Sequence, residues 1–246
     1  MRIDFYKVDP GGNITAIVKG QYSKEEGIKI SKAILEKDHD IEQVGFWAEP
    51  ELEGSAARLF MMGGEFCGNG VRSLAYLAWK KNNLPEEFLL EASGVDGQIR
   101  VFAKDGYSAM EILLSALSSK NEAIVCVPGI CHYITNEPIN RDKAISMLEE
   151  KDLKKEDAAG VISVKEENGS LAIDPIVWVR DTETLYEETA CASGALALAY
   201  QRYSRGDGDR FNITQPSGSV YEVVFDNQAA VLSGPILRVG EESIDI

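Results

Sequence analysis

The chain has 246 residues, a length that admits one large domain or two small ones, and its 44% hydrophobic content is enough to fill a core. A net charge of −15 sets it against nucleic acid, because binding a phosphate backbone rests on Lys and Arg. No apolar run reaches the roughly 18 residues of a membrane span, and Met1-Arg2-Ile3-Asp4-Phe5 opens no leader-like apolar stretch, so a cytoplasmic protein without membrane or nucleic-acid partners is expected.

Along the chain, Ser23 and Glu26 have the spacing of a capping box and open an amphipathic helix that runs to about Lys37. A second helix is predicted from Cys67. Its apolar run ends near Asn82-Asn83-Leu84-Pro85, where proline forbids continuation. Ser93-Gly94 then leads into a strand from Gln98 to Ala103, and Lys104-Asp105-Gly106 reads as a hairpin turn. A boundary falls near Ser115 to Asn121. A third helix is predicted over Arg141 to Leu153, and Asn168-Gly169 is a second hairpin turn. The fourth helix starts at Cys191. Leu196-Ala197-Leu198-Ala199-Tyr200 has no polar stripe, which indicates burial on most sides. It ends near Gly206-Asp207-Gly208, and Ser217-Gly218 precedes a strand from Val220 to Phe225.

Two of these stretches echo each other. Glu65-Phe66-Cys67-Gly68-Asn69-Gly70 and Glu188-Thr189-Ala190-Cys191-Ala192-Ser193-Gly194 both place a cysteine before small residues and an apolar run. Ser93-Gly94 follows Cys67 at the same separation as Ser217-Gly218 follows Cys191. The chain therefore reads as two related α/β halves, each a sheet wrapped around a central helix and each supplying one cysteine. The expected division is 1–116, with 237–246 returning to it, and 117–236.

The chemistry follows from where the cysteines stand. A helix N-terminus carries open N–H groups and a partial positive charge, so a thiol there is expected to ionise more readily. The residues after each cysteine, Gly68-Asn69-Gly70 and Ala192-Ser193-Gly194, leave backbone amides open to hold a carboxylate. Two such ends serve stereoinversion at an amino-acid α-carbon. One thiolate removes the α-proton, the other thiol delivers a proton to the opposite face, and the amides stabilise the developing charge. No cofactor is needed, and neither a pyridoxal-phosphate lysine site nor a G-x-G-x-x-G fingerprint is apparent. A metal is not expected, since Cys126 and Cys131 have no second cysteine pair beside them and the only histidines are His39 and His132. Structural disulfides are not expected in a reducing compartment.

Cys67-Gly68-Asn69-Gly70 together with Cys191-Ala192-Ser193-Gly194 resembles the paired motifs of the diaminopimelate epimerase superfamily, over nearly the whole chain. The resemblance implies an α+β fold of two pseudo-symmetric domains and a two-base isomerase whose catalytic pair is Cys67 and Cys191. It further implies that Asn13, after Gly11-Gly12, and Gln43, in Glu42-Gln43-Val44-Gly45-Phe46, bind substrate. Gly68, Asn69, His132, Ala192, Ser193 and Gly194 join them. Asn13 and Asn69 are also ordinary turn residues. Glu65, Glu183, Glu187 and Glu188 are the acidic neighbours from which a partner for the substrate ammonium would come.

The stretch Thr182-Glu183-Thr184-Leu185-Tyr186 lacks the arginine with which diaminopimelate epimerases grip the distal carboxylate. Asp9-Pro10-Gly11-Gly12-Asn13-Ile14-Thr15, Gly64-Glu65-Phe66-Cys67-Gly68-Asn69 and Gln215-Pro216-Ser217-Gly218-Ser219 resemble instead the histidine racemases of metallophore biosynthesis. The implied reaction is racemisation of a single-centre amino acid, with histidine the leading substrate. The alternatives are a diaminopimelate epimerase with altered distal contacts and a non-catalytic amino-acid-binding paralogue. The oligomeric state stays open, a homodimer included.

Overall fold

Ser23 closes the first turn of α1 (Lys24–Lys37). Its hydroxyl accepts from the Glu26 amide while the Glu26 carboxylate accepts from the Ser23 amide, so two amides left open at a helix start are satisfied. The computed structural model describes residues 1–167, 169–180 and 183–246. They divide into two compact units: unit 1 is Met1–Met110 with Gly234–Ile246, and unit 2 is Glu111–Ser233.

Unit 1 contains β1 (Arg2–Asp9), β2 (Ile14–Lys19), β3 (Ile41–Ala48), β4 (Ser55–Met61), α2 (Gly68–Asn82), β5 (Glu87–Ala92), β6 (Gln98–Lys104) and the start of β7 (Tyr107–Leu113). The last strand, β17 (Arg238–Asp245), lies antiparallel along the whole of β1. β1 pairs antiparallel with β2 on its other side. Two parallel pairs follow, β2 with β3 across α1 and β4 with β5 across α2, linked by the antiparallel pair β3–β4. Parallel neighbours need such a crossover, which a helix supplies. β5, β6 and β7 complete the order as antiparallel neighbours.

Unit 2 follows the same plan. Its elements are β8 (Ser118–Asn121), β9 (Ile124–Val127), β10 (Ile130–Thr135), α3 (Arg141–Glu150), β11 (Ala158–Glu167), β12 (Ser170–Val179), β13 (Thr184–Glu187), α4 (Ala192–Arg205), β14 (Arg210–Thr214), β15 (Val220–Phe225) and β16 (Ala229–Pro235). β10 and β11 are parallel across α3, and β12 and β14 are parallel across α4. The remaining neighbours are antiparallel. The chain is thus a mixed α/β protein, rich in sheet.

Both cysteine helices are core elements. In α2 every residue from Gly68 to Ala78 is buried, and the helix packs on β2 to β6. In α4 Ala192 and Gly194 to Ala199 are buried against β9, β10, β12, β14 and β15. Their polar ends are also alike. Asn83 (φ 52°) and Gly206 (φ 84°) take the left-handed conformation that stops each helix.

Two expectations meet the structure differently, and a third falls partly outside the described residues. α3 ends at Glu150 rather than Leu153, because Asp152 turns left-handed (φ 57°) and carries Leu153 into the core beside Leu148. Asn168 lies outside the described residues, although Glu167 and Ser170 on either side pair across β11 and β12. Most plainly, Cys126 and Cys131 form a disulfide. The two residues are register partners in the β9–β10 hairpin, whose turn is Pro128-Gly129. Direct opposition across a short turn decides the pairing, where a redox argument from compartment had excluded it. Among the described residues no helix is long and apolar enough to cross a membrane.

Candidate active site

Each cysteine is the N-cap of its helix, with nearly the same backbone: φ −131°, ψ 106° at Cys67 and φ −130°, ψ 101° at Cys191. Each sulfur accepts a hydrogen bond from the amide three residues on, Gly70 N at 3.2 Å and Gly194 N at 3.3 Å. Sulfur here takes the place that Ser or Asp oxygen fills at an ordinary helix start. The third residue is glycine in both, and core side chains crowd the place of a side chain there. A Cβ on Gly70 would meet Leu59 Cδ2 at 3.0 Å and Met61 Sδ at 3.1 Å, and one on Gly194 would meet Ile162 Cδ1 at 2.8 Å and Cys191 Sγ at 3.1 Å.

The repeated Ser-Gly turns back up the cysteines. Ser93 Oγ donates to the Glu65 carbonyl at 2.8 Å, and Gly94 lies so close to the Phe66 amide that a Cβ has no room. In unit 2 the Ser217 amide donates to the Thr189 carbonyl at 2.9 Å. The equal separation noticed in the sequence is therefore the distance from a helix N-cap to the loop that braces it.

In unit 1 the structure brings Gln43 to Cys67: the thiol donates to Gln43 Oε1 at 2.7 Å. Gly68 and Asn69 are the first residues of α2, both buried. Asn13 is buried in the loop after β1, in a left-handed conformation (φ 51°). That loop is tied down at its start. Asp9 Oδ1 accepts from the Gly11 and Gly12 amides, and the Pro10 carbonyl accepts from the guanidinium of Arg72 at 3.2 Å. Arg72 is fully buried and also donates to the carbonyls of Ser108 and Pro235. Sequence reasoning passed over Arg72; its signal was a cation inside an otherwise apolar helix run.

In unit 2, Ala192 and Ser193 open α4, and His132 comes from β10. Ser193 Oγ stands 3.4 Å from Cys191 Sγ and 3.0 Å from His132 Nε2. The Cys191 amide donates to Gln215 Oε1 at 2.9 Å. The sequence marks Gln215 only within a family-like stretch; its contact with the cysteine backbone arises from the fold. Glu188 also hydrogen-bonds to Cys191.

The electrostatics separate the acidic candidates. Glu183 and Glu187 are exposed, and Glu187 faces Arg141 at 3.7 Å. Glu65 is largely buried, and burial raises its carboxyl above the ordinary value. Glu188 is the carboxylate beside a sulfur. Its charge adds to burial in raising the Cys191 thiol well above the usual cysteine value, against the lowering contacts of Ser193 and the Gly194 amide. The lowered thiol expected from helix position is thus overturned at Cys191: desolvation outweighs the helix end. Burial likewise holds His132 down to about 3, so its ring is neutral. The described residues hold no group of three or more His, Cys, Asp or Glu placed for a metal ion.

The description "Histidine racemase CntK N-terminal domain" matches residues 2–233. The chain belongs to the histidine racemase family. A histidine racemase of Fusobacterium nucleatum subsp. nucleatum is 31% identical, covering 99% of this chain and 97% of its own. Among solved structures, a probable proline racemase from Agrobacterium radiobacter K84 has a TM-score of 0.68 at 11% identity, over 99% of this chain and 93% of that one. A PhzF-family phenazine biosynthesis protein from Enterococcus faecalis has a TM-score of 0.61 at 14% identity, over 98% and 99%. These two share the fold.

Proposed function

We propose that this histidine racemase family member interconverts L- and D-histidine without a cofactor, using Cys67 and Cys191 as a thiol–thiolate pair. The observation that carries the reading is the matched placement of the two sulfurs. Each caps a buried helix, and each is held by the amide of a glycine three residues on. The likeness of the two units extends the reading to a pseudo-symmetric fold of the diaminopimelate epimerase kind, each sheet wrapped around its cysteine helix.

In the reaction one sulfur takes the α-proton, forming an S–H bond as the Cα–H bond breaks. The electron pair passes into the carboxylate, where helix-end amides stabilise it. The second sulfur then gives its proton to the opposite face and is left as the thiolate. The reading demands that the two sulfurs flank one α-carbon. Glu188 sets when Cys191 ionises: a substrate ammonium beside that carboxylate offsets the charge that keeps the thiol protonated. Asn13, Gln43, Gly68, Asn69, Ala192, Ser193 and Gly194 surround the two thiols in this scheme, and histidine is favoured because the chain lacks the arginine that a distal carboxylate needs. A cytoplasmic location belongs to the same reading. The Cys126–Cys131 link is then an exception to the reduced thiols of that compartment, closed by proximity across its turn.

The test is incubation in deuterated water with L-histidine, the other common L-amino acids and meso-diaminopimelate. Deuterium should appear at Cα of histidine, and both Cys67→Ala and Cys191→Ala should abolish it. Preferred exchange into diaminopimelate overturns the substrate. Full exchange in either single variant overturns the two-thiol mechanism.

A further inference from the structure

The two thiols are supported by different groups. Cys67 meets an amide side chain, Gln43, whereas Cys191 meets a hydroxyl, Ser193, that is itself bonded to an imidazole. The histidine is the unusual member. Its residue is wholly buried, and its second nitrogen, Nδ1, is buried with no hydrogen-bond partner among the described residues. Nδ1 lies over Gly160, its register partner on β11, where any side chain would overlap the ring. In unit 1 the matching register partner of Gly45 on β3 is Ile17, and the space over that glycine is apolar, with Leu59 Cδ1 at 2.8 Å, Met61 Sδ at 3.1 Å and Ile17 Cδ1 at 3.4 Å from the place of a Cβ. An imidazole in such a slot has one polar contact to make, and it makes it to Ser193.

That environment decides the tautomer. A neutral ring carries one N–H. Placing the hydrogen on Nδ1 buries a donor with nothing to accept it, which native structures avoid more strictly than a bare acceptor. The hydrogen therefore sits on Nε2 and points at Ser193 Oγ. With its oxygen accepting from His132, the Ser193 hydroxyl has its own hydrogen to give, and the other atom in reach is Cys191 Sγ.

We infer that His132 is a positioning residue that fixes the Ser193 hydroxyl as a hydrogen-bond donor to the Cys191 thiolate, and so is not a ligand of the substrate. The chain of bonds runs Nε2–H to Oγ, then O–H to sulfur, and no proton is transferred along it. Glu188, as acceptor, favours the thiol, while Ser193, as donor, favours the thiolate. The sulfur is thus placed between one group for each of the two states a racemase thiol must visit. The inference rests on the two-thiol reading, but its geometry lies entirely within unit 2.

The test compares Ser193→Ala, His132→Leu, His132→Gln and the double variant Ser193→Ala/His132→Leu. Cys191 alkylation by iodoacetamide is followed at fixed pH by peptide mapping, with Cys67 as the internal reference. Loss of one charge-assisted hydrogen bond predicts Cys191 alkylation about tenfold slower in Ser193→Ala and His132→Leu, with Cys67 unchanged. His132→Gln, whose amide N–H can still donate, should fall between. The double variant should be no slower than Ser193→Ala alone, since His132 acts through Ser193. Turnover of histidine should show a reduced kcat and a KM within about twofold.

An unchanged Cys191 rate in His132→Leu overturns the proposal. So does a double variant slowed by the product of the two single effects, or a loss confined to KM. If His132→Leu does not fold, His132→Phe, which fills the slot with no donor, decides the same point: a wild-type Cys191 rate in it beside a slow Ser193→Ala would remove the histidine from the chain. Alkylation needs no substrate, so a wrong assignment of histidine leaves this readout intact.

Discussion

At His132, full burial has a consequence for acid stability. Its folded value of about 3 lies below the ordinary 6.5. As pH falls through 6.5 the unfolded chain gains a proton that the folded ring refuses, so stability is complete above that value and declines toward pH 3. His132→Gln removes this titration. The advantage of wild type over the variant in urea unfolding should therefore shrink between pH 7 and pH 4, by about 3 kcal/mol. A constant difference would contradict a neutral buried ring. Glu65 has the opposite sign. Burial raises its folded value above the ordinary 4.5, so its contribution is intact below that pH and is lost as pH rises through the folded value. Glu65→Gln should gain on wild type over that window, and equal unfolding curves at pH 4 and pH 7 would show that the carboxyl is solvated.

Among the elements, the cysteine helices carry the sharpest predictions. Substituting the glycines three residues after each cysteine pits overpacking, about 1–3 kcal/mol, against a helix-propensity gain of at most about 1. Gly194→Ala meets Ile162 at 2.8 Å and its own cysteine sulfur, whereas Gly70→Ala meets the flexible ends of Leu59 and Met61 at 3.0 and 3.1 Å. Gly194→Ala should thus be the more destabilising in chemical denaturation and should lose more activity; the reverse order would mean that unit 2 relaxes around the new methyl. The Cys126–Cys131 bridge closes a very short loop, so its effect on the unfolded chain is small, about 2 kcal/mol. Cys126→Ser/Cys131→Ser should lower the unfolding midpoint modestly, and an unchanged midpoint would show the hairpin holds without it.

These elements also mark what the sequence discloses. Cys67, Cys191, the Ser-Gly turns and the α1 capping box were legible because each is a local pattern with one physical meaning. The pairing of Cys126 with Cys131 was not, because it depends on strand register rather than spacing. Nor was the raised Cys191 thiol, which follows from burial and from Glu188, neither visible in a helix-start motif. The partnership of His132 with Ser193 joins residues far apart in sequence, and only the folding of β10 beside α4 brings them to hydrogen-bond distance.

For the molecule as a whole, unit 1 is discontinuous and unit 2 is one unbroken stretch. Removing residues 238–246 takes β17 from the full length of β1, from Arg2 opposite Asp245 to Asp9 opposite Arg238. Hydrogen exchange should then rise across β1 while the amides of β10, β11 and α4 keep their protection. Loss of protection in both units together would mean that they unfold as one.

The same discontinuity has a meaning during translation. The ribosome makes β1 first and its outer neighbour β17 last, with all of unit 2 in between. Unit 2 has every strand it needs before unit 1 does, so the nascent chain completes its later-made half first. Throughout that interval the outer edge of β1, with the apolar side chains of Ile3, Phe5 and Val8, waits without its partner strand. An open edge of that kind is a template for pairing between chains until β17 arrives to cover it.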